Sequence, residues 1–466
     1  MKYQVFGWFI TVHDNDVDSY VPEVWANEGL MVLYENMVMA NLVHRDFSNE
    51  IAEAGDIVNT RRPSTFVGAR KTANDDVVVQ ALTATNVPVA LDQYFHTSFI
   101  IRDAEASKSF KDLVTDHLRP AAMSIASAID HVLLGQVVQY IAKRAGTLGT
   151  LTSSNTIARI TSLKQAQTEA KVPETDRRLI LTPSSEAAFL QTEMFTSAEK
   201  VGDAGTALRT ASLGQKFGYN IFTCQNTPQP TQADSDIDQT MLVNLTAGYV
   251  AGDTVLVVDG ITGEVVTGEW VSIVGSEIPH QITAHTETAT NTTEITISPA
   301  LVGTVANNAI ITRYMMGEVN LAAGYAAGYA KTIVYDGFTK DPQVGQFCTF
   351  EAVTTKYVII QVDTTAKTIL LDRPLVAAIA NNDNINLGPG GSYNFAFHRN
   401  ALSLVNRPLA LPDSRLGVRA AVVNMGGIAI RVTITYDGTK QGVLVTLDTL
   451  CGVKVLDTNL GAVLLG

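Results

Sequence analysis

The sequence predicts an α+β chain in which one long helix precedes an all-β region of two tandem small barrels or sandwiches. Three observations predict this. Over residues 120–144, apolar side chains recur at Ile125, Ile129, Val132, Leu133, Val137, Tyr140 and Ile141, the spacing of one helix face. From about residue 240, Thr, Val, Ile, Gly and Asn dominate, and helix signals vanish until about 396. Within that β-rich segment a series of landmarks returns in order at offsets of 74–77 residues. Gly248-Tyr249-x-Ala251-Gly252 returns as Gly324-Tyr325-x-Ala327-Gly328, and Asp259-Gly260 as Asp336-Gly337. Gly268-x-Trp270 returns as Gly345-x-Phe347, Ile295-Thr296-Ile297 as Ile369-Leu370-Leu371, and Ala306-Asn307-Asn308 as Ala380-Asn381-Asn382. An ordered series of this kind marks a duplication, with four to six short strands in each unit.

Taken in order, residues 1–50 read as an arm. Residues 24–43 are apolar enough to be helical and to dock, although Met31, Leu33, Met37, Met39 and Leu42 form no single stripe. Residues 55–101 read as a long β-hairpin. Ile57 and Val58 start the outgoing strand, and Phe95, Phe99 and Ile101 alternate in the returning one. The stretch of about 25 residues between them is longer than a structureless loop usually is inside a domain, which suggests that it binds something. Residues 107–118 read as a short helix, with Ser109 and Asp112 in capping-box spacing.

In the long helix, Pro120 suits the first turn, where a missing N–H is harmless, and Gly146 suits the C-terminal stop. Ala121, Ala122, Ala126 and Ala128 favour helix and allow a neighbour to approach. At 1.5 Å per residue the helix would span about 37 Å. Residues 156–171 read as helix, 178–182 as a buried strand ending at Pro183, 184–190 as helix, and 219–224 as strand. Residues 227–238 read as a boundary and 388–391 as a linker. Residues 397–405 read as a helix or turn bearing His398 and Arg399, followed by strands at 428–436 and 442–447.

The totals restrict function. The chain has 466 residues, 46% of them apolar and 17% charged, which suits a folded protein of two to four domains. A net charge of −13 argues against a nucleic-acid grip, which requires clustered Lys and Arg. No run of 18 apolar residues predicts a membrane span. The apolar stretch 3–12 has only Lys2 before it and Asp14, Asn15, Asp16 and Asp18 after it, so a signal peptide is not expected. Cys224, Cys348 and Cys451 are widely separated, and their spacing suggests neither zinc nor a disulfide framework. The aspartate triplets at 14, 16, 18 and 234, 236, 238 lack the glycine and glutamate of a calcium loop and read as solvated acidic loops. His44 and His398 read as polar contacts in a fold. No catalytic, cofactor-binding or metal-ligating residue is expected, and the chain is read as no enzyme.

Five stretches, in order along most of the chain, resemble the major capsid proteins of tailed phages in the branch like the coat protein of phage P22. The first runs from Trp25-Ala26-Asn27-Glu28 through Asn41–Phe47 to Gly55-Asp56-Ile57-Val58. The others are residues 205–222, residues 268–274 with 296–301, residues 395–409 and residues 447–460. The resemblance implies an HK97-type capsid fold: spine helix, extended loop and axial domain, with an inserted all-β region. It divides the chain into an N-terminal arm (1–50), an extended loop (51–105) and a peripheral domain with the spine helix (106–150). The axial domain follows (151–238), then the inserted tandem β-domains (239–390, split as about 240–316 and 320–390). The axial domain returns at 391–425 and the peripheral C-terminal strands at 426–466. Residues 1–20 have no recognisable counterpart, and the family's insertion is usually one β-domain rather than two.

The function implied is that of a coat subunit that self-assembles, as hexamers and pentamers, into an icosahedral shell around double-stranded DNA. Its partners would be itself, a scaffolding protein and a portal. The genome would be enclosed without sequence-specific binding, and no membrane or cofactor is involved. The expected location is the virion, after assembly in the host cytoplasm. An acidic wall also fits a container that does not hold phosphate back at release. Two rivals are an encapsulin-like cellular compartment and a secreted β-rich adhesin or carbohydrate-binding protein. Contacts between subunits are expected at Trp25, Leu30, Leu33 and Met37, which are too apolar to stay in water. They are also expected at Arg61, Arg62, Arg70 and Lys71, a run of cations in an acidic chain. Lys71 lies in the loop where some relatives form crosslinks, but no other residue signals that chemistry.

Overall fold

The computed structural model describes residues 37–45, 57–62, 68, 70–71, 85–102, 118–197, 210–230, 235–261, 265–289, 292–314, 316–351, 353–407, 409–412, 418–425 and 428–466. Their elements are mixed α and β. They fall into two compact units. One has its described parts within 94–126 and 406–450, and the other within 37–93, 127–405 and 451–466.

The first unit is built on the antiparallel strands Arg419–Met425, Ile428–Asp437 and Gly442–Val455, with Gln93–Arg102 paired against the last. Asp448 is nearly fully buried there and holds the unit's polar centre. Arg431 grips it through Nε (3.0 Å) and Nη2 (2.6 Å), and Tyr94 Oη donates to it at 2.9 Å. A paired, hydrogen-bonded carboxylate can be buried where a lone one could not.

The second unit contains a six-stranded sheet in the order Arg144–Ala145, Gly461–Leu465, Tyr393–His398, Arg177–Leu181, Tyr219–Thr223 and Gln215–Lys216. Asn394 ties its centre together. Its Oδ1 accepts from Thr182 N at 2.7 Å, and its Nδ2 donates to Leu464 O and Ser185 Oγ. The helix Thr156–Glu169 buries Ile160 and Leu163 with residues of this sheet. The helix Pro183–Leu190 starts one residue before the expected Ser184, with Thr182 as N-cap and Pro183 in the first turn.

Between Thr223 and Tyr393 the chain builds two closed six-stranded barrels. The first runs around through Trp270–Ile273, Ser276–Ala289, Thr292–Ser298, Val255–Asp259, Ser235–Val243 and Ile310–Tyr314. The second runs through Phe347–Phe350, Val353–Asp363, Thr368–Leu371, Ile333–Asp336, Met316–Val319 and Asn384–Leu387. Matched by the sequence repeat, the strands follow one another around both barrels in the same order, so the expected duplication is a duplication of topology. Its details match too. Tyr249 exchanges backbone bonds with Val305, and Tyr325 with Ile379. The phenol oxygens of Tyr249 and Tyr325 each accept a backbone N–H, from Val257 and Val334, both at 2.8 Å. Gly248 and Gly324 precede these tyrosines with φ of +67° and +60°. A Cβ on either would collide with the carbonyl oxygen of Val305 or Ile379. The repeated glycine is therefore a close-approach residue as well as a turn residue.

The structure corrects several sequence expectations. The long helix is α-helical over Arg119–Gly135 and tightens to a 3-10 segment over Gln136–Tyr140, well short of residue 144. Tightening lets Tyr140 Oη donate to Ala401 O at 2.7 Å, and Arg144–Ala145 becomes a strand parallel to Gly461–Leu465. Gly146 is needed there, not as a helix stop: its φ is +87°, and a Cβ would come within 2.5 Å of Leu465 O. The strand Ile57–Arg62 pairs with Thr85–Ala90, not with residues 95–101. Alternation marks a strand but does not name its partner. Residues 397–405 form the end of one strand, a 3-10 turn at Arg399–Ala401 capped by His398, and the strand Leu402–Arg407. The supposed boundary at 227–238 overlaps the first barrel, because Ser235–Val243 is a strand that carries Asp236 and Asp238. The second barrel begins at Met316. The expected helices at 24–43 and 107–118 fall mostly or almost wholly outside the described residues.

Gly248→Ala and Gly324→Ala are each expected to destabilise the protein by about 1–3 kcal/mol through a forced left-handed conformation and a backbone clash. Thermal melting compared with Gly438→Ala, where nothing lies within 4 Å, checks this. Equal melting temperatures for the three variants would show that the close approach is unimportant.

Candidate functional site

The features that could serve assembly are the end of the arm and the hairpin that follows it. Residues 37–45 do not behave as a free arm. Met37, Met39, Ala40, Leu42 and Val43 are buried in their own chain, Met39 and Ala40 completely. Their anchor is Asp130 on the helix Arg119–Gly135, itself fully buried. Asp130 Oδ2 accepts from Val38 N at 2.9 Å, and Oδ1 accepts from Met39 N and Ala40 N at 3.1 and 3.3 Å. Cys224 Sγ lies 3.9 Å from Oδ2. Three amides that a 3-10 turn leaves unpaired at its start are thus satisfied by one carboxylate. Burial raises the Asp130 carboxyl to about 6, because the three amides offset only part of the desolvation. The segment is also held farther along. His44 N donates to Leu402 O at 3.2 Å, Leu404 N donates to His44 O at 3.0 Å, and the Arg178 guanidinium donates to Leu42 O.

The hairpin Ile57–Arg62 with Thr85–Ala90 starts from a firm foot. Its register pairs Ile57 with Ala90 and Arg62 with Thr85. Val89 is buried against Val405 and Leu91. Gly452 is required beside the hairpin's base, since a Cβ there would meet the carbonyl oxygen of Ala90. An open cleft of about 670 Å³ lies at this foot, lined by Pro88, Asp92, Gln136, Val376 and Lys454 among others.

The sequence-predicted contact residues fall as follows. Trp25, Leu30 and Leu33 lie outside the described residues. Met37 is buried in its own chain, with its carbonyl accepting from Asn41 Nδ2 at 2.7 Å. The reading of residues 1–50 as an arm therefore does not hold for 37–45, which pack into their own chain. Met37 does precede every domain in sequence, but Asp130 brings a later element to it. Arg61 and Arg62 end the first hairpin strand, opposite Asn86 and Thr85. Arg70 and Lys71 are exposed in the stretch between the two strands.

Among the described residues no group of three or more His, Cys, Asp or Glu is arranged to hold a metal ion. Cys224, Cys348 and Cys451 are free and buried, and burial raises the thiols of Cys224 and Cys451 to about 12. His280 is buried with Nε2 2.7 Å from Ser276 Oγ and Nδ1 2.7 Å from Pro299 O. Burial lowers it to about 4, so it is neutral at physiological pH. Arg119–Tyr140 is long and apolar enough to cross a membrane by length and composition, and it is mostly buried inside the protein.

No family model matches the chain, and no curated protein matches it. Among solved structures it is similar to one of Mycobacterium phage Che8, at 13% identity and a TM-score of 0.45 over 92% of this chain and 90% of that one. It is similar to the capsid structure of the cyanophage P-SCSP1u at 10% identity and a TM-score of 0.38, over 88% and 84% of the two chains. It is also similar to a virus-like particle from Pyrococcus furiosus at 11% identity and a TM-score of 0.29, over 62% of this chain and 97% of that one.

The Asp130 anchor should be visible in the pH dependence of stability. With a folded-state value near 6 and an unfolded value near 3.8, the folded chain binds more protons between them. Asp130 thus favours folding fully below about 3.8, and this contribution is lost as pH rises through 6, by on the order of 3 kcal/mol in total. Asp130→Asn should remove this component from a denaturant-derived stability profile between pH 4 and 7. It should also weaken the fold at neutral pH, because its amide nitrogen faces a donor. An unchanged profile would mean that Asp130 does not titrate in this range.

Proposed function

We propose that the chain is a major capsid protein of a tailed phage, in the branch like the coat protein of phage P22, with an HK97-type fold. Its copies form hexamers and pentamers and close into an icosahedral shell around double-stranded DNA, with a scaffolding protein and a portal as partners. The protein works by assembly rather than catalysis, in the host cytoplasm and then in the virion. The observation that carries this reading is the ordered series of five capsid-like stretches in the sequence. Four of them lie on described elements: the Tyr219–Thr223 strand, the first barrel, the Tyr393–Arg407 segment and the Gly442–Val455 strand with the turn after it.

In this reading the helix Arg119–Gly135 and its 3-10 extension are the spine, the hairpin after Ile57 is the extended loop, and the two barrels are the inserted β-domains. Met37 and its neighbours fix the point from which residues 1–36 depart. Trp25, Leu30 and Leu33 on that segment contact a neighbouring subunit. Arg61, Arg62, Arg70 and Lys71 reach over an adjacent subunit and meet its carboxylates. A single exposed ion pair is worth only about 0.2–1 kcal/mol. In a closed shell the contact repeats in every subunit, and like charges penalise wrong docking.

Negative-stain microscopy of the expressed chain, with assay of the particles for nucleic acid, tests the class. Closed shells or capsomer sheets are expected, and a chain that stays monomeric with its natural co-expressed partners would count against the proposal. Deleting residues 1–36 should leave a soluble monomer that assembles poorly. Reversing Arg70 and Lys71 to glutamate should leave the monomer's melting temperature nearly unchanged, because both side chains are exposed. It should slow assembly or give aberrant particles in a salt-dependent way. Wild-type shells formed at wild-type rate by that double variant at low salt would remove the loop from the interface.

A further inference from the structure

Lys356 sits on the strand Val353–Asp363 of the second barrel, partly buried. Among the described residues its ammonium meets no carboxylate and no hydrogen-bond acceptor. Its one close partner is a ring: Nζ lies 5.2 Å from the centroid of Trp270, which is itself buried in the first barrel. A cation over an indole face is attracted to it, but the ring accepts no directed hydrogen bond from the three N–H groups. Burial pulls the amine down to about 8, with no opposing counter-charge.

The amine lines a cleft of about 370 Å³ whose walls come from the helical segment near Gln139, from Ser298 and Pro299 of the first barrel, and from Thr355, Lys356 and Arg373 of the second. Among the described residues, the charged ones lining it are Lys356 and Arg373, with no acid. Arg373 is only partly committed elsewhere, since Nε and Nη2 both donate to a single oxygen of Asp372, at 2.9 and 2.7 Å. Asp372 is fully buried, and its other oxygen accepts from Val358 N. The cleft therefore gathers two cations and the neutral donors of Gln139, Ser298 and Thr355 around a volume with room for a tetrahedral or planar anion. A partly desolvated cation without a counter-ion is an unfavourable arrangement, which an entering anion relieves.

We propose that this cleft is a binding site for a small oxyanion, a phosphate or a carboxylate, received between Lys356 Nζ and the Arg373 guanidinium. The anion is either free in solution or the carboxylate of a second copy of this chain, which carries 46 acidic residues against 33 basic ones. The site follows from the cleft itself and stands whether or not the chain forms a shell.

Acetylation of each lysine across a pH series, read by mass spectrometry on the purified full chain, tests it. The series is run in chloride, in phosphate and in acetate at matched ionic strength. In chloride, Lys356 should label with a midpoint near pH 8. Phosphate or acetate should raise that midpoint by about one pH unit, cutting labelling at pH 8 roughly fivefold, because a bound anion favours the charged amine. The exposed Lys440 should not respond. Arg373→Gln should reduce the shift. As that change leaves Asp372 without its cation, Gln139→Ala serves as a second variant with the same expectation, and circular dichroism reports whether each is folded. If the midpoint rises further in assembled particles without added anion, a neighbouring copy supplies the carboxylate. If it rises only with added phosphate or acetate, the ligand is the free anion. A Lys356 midpoint that neither phosphate nor acetate moves in the folded monomer overturns the proposal.

Discussion

The architecture of the second unit depends on a narrow neck of backbone hydrogen bonds. The chain leaves the six-stranded sheet at Thr223 and returns to it at Tyr393, with both barrels between. Tyr393 N donates to Pro228 O at 3.1 Å and Gly391 N donates to Pro230 O at 2.9 Å, so the outgoing and returning segments are bound to each other. Ser392 and Gly466 then exchange a pair of bonds, at 2.8 and 3.0 Å, which sets the final strand beside the returning one. Holding the ends of so long an excursion together lets the sheet keep its order, because loop-closure entropy grows only slowly with length. The aromatic contact of Phe347 with Tyr393, edge to face at 4.7 Å, seats the second barrel on the same neck.

The helix Arg119–Gly135 and its 3-10 extension connect the elements of this unit in a similar way. Asp130 holds the end of the N-terminal segment. Gly135 lies against the second barrel, where a Cβ would come within 3.0 Å of Val358 Cγ2. Tyr140 reaches the turn at Ala401 and packs at 4.9 Å on Phe395 of the sheet. Three contacts within eleven residues therefore position the 37–45 segment, a barrel and the sheet. The helix is apolar and mostly buried inside the protein.

What the sequence revealed was what depends on local chemistry. The barrels were legible because each turn needs its own glycine, tyrosine and asparagine, and these recur at a nearly fixed offset. The helix Pro183–Leu190 was legible to within one residue, but its cap was not, because Thr182 also reads as the end of the strand before it. Pairing partners were not legible. Nothing in Ile57–Arg62 distinguishes Thr85–Ala90 from Gln93–Arg102 as its neighbour, since both carry strand-like patterns. The change from α to 3-10 at Gln136 leaves no trace in the sequence, because the two share nearly the same apolar spacing over five residues. Asp130, an acid beside Ile129 on the buried face of the helix, is itself the sequence signal of a carboxylate needing donors. Lys356, set in a strand of Val353, Tyr357, Val358 and Ile359, offered a comparable signal.

Two successive barrels of one topology raise the problem of strand exchange, in which a strand of one copy completes the other during folding. At one matched pair of buried sites they differ in charge. In the first barrel Glu269 and Arg313 are both fully buried and bonded to each other, with Arg313 Nη2 2.9 Å from Glu269 Oε2. In the second, the corresponding residues are Gln346 and Leu387. Gln346 keeps the local role of Glu269, accepting a backbone N–H from three residues before it, without the charge. A hybrid barrel would bury Arg313 opposite an amide or Glu269 opposite a leucine. Either arrangement leaves a desolvated charge alone, at a cost of about 3–5 kcal/mol. The ion pair, which need add little to the stability of the correct barrel, thus adds a penalty against exchange between two copies of one topology.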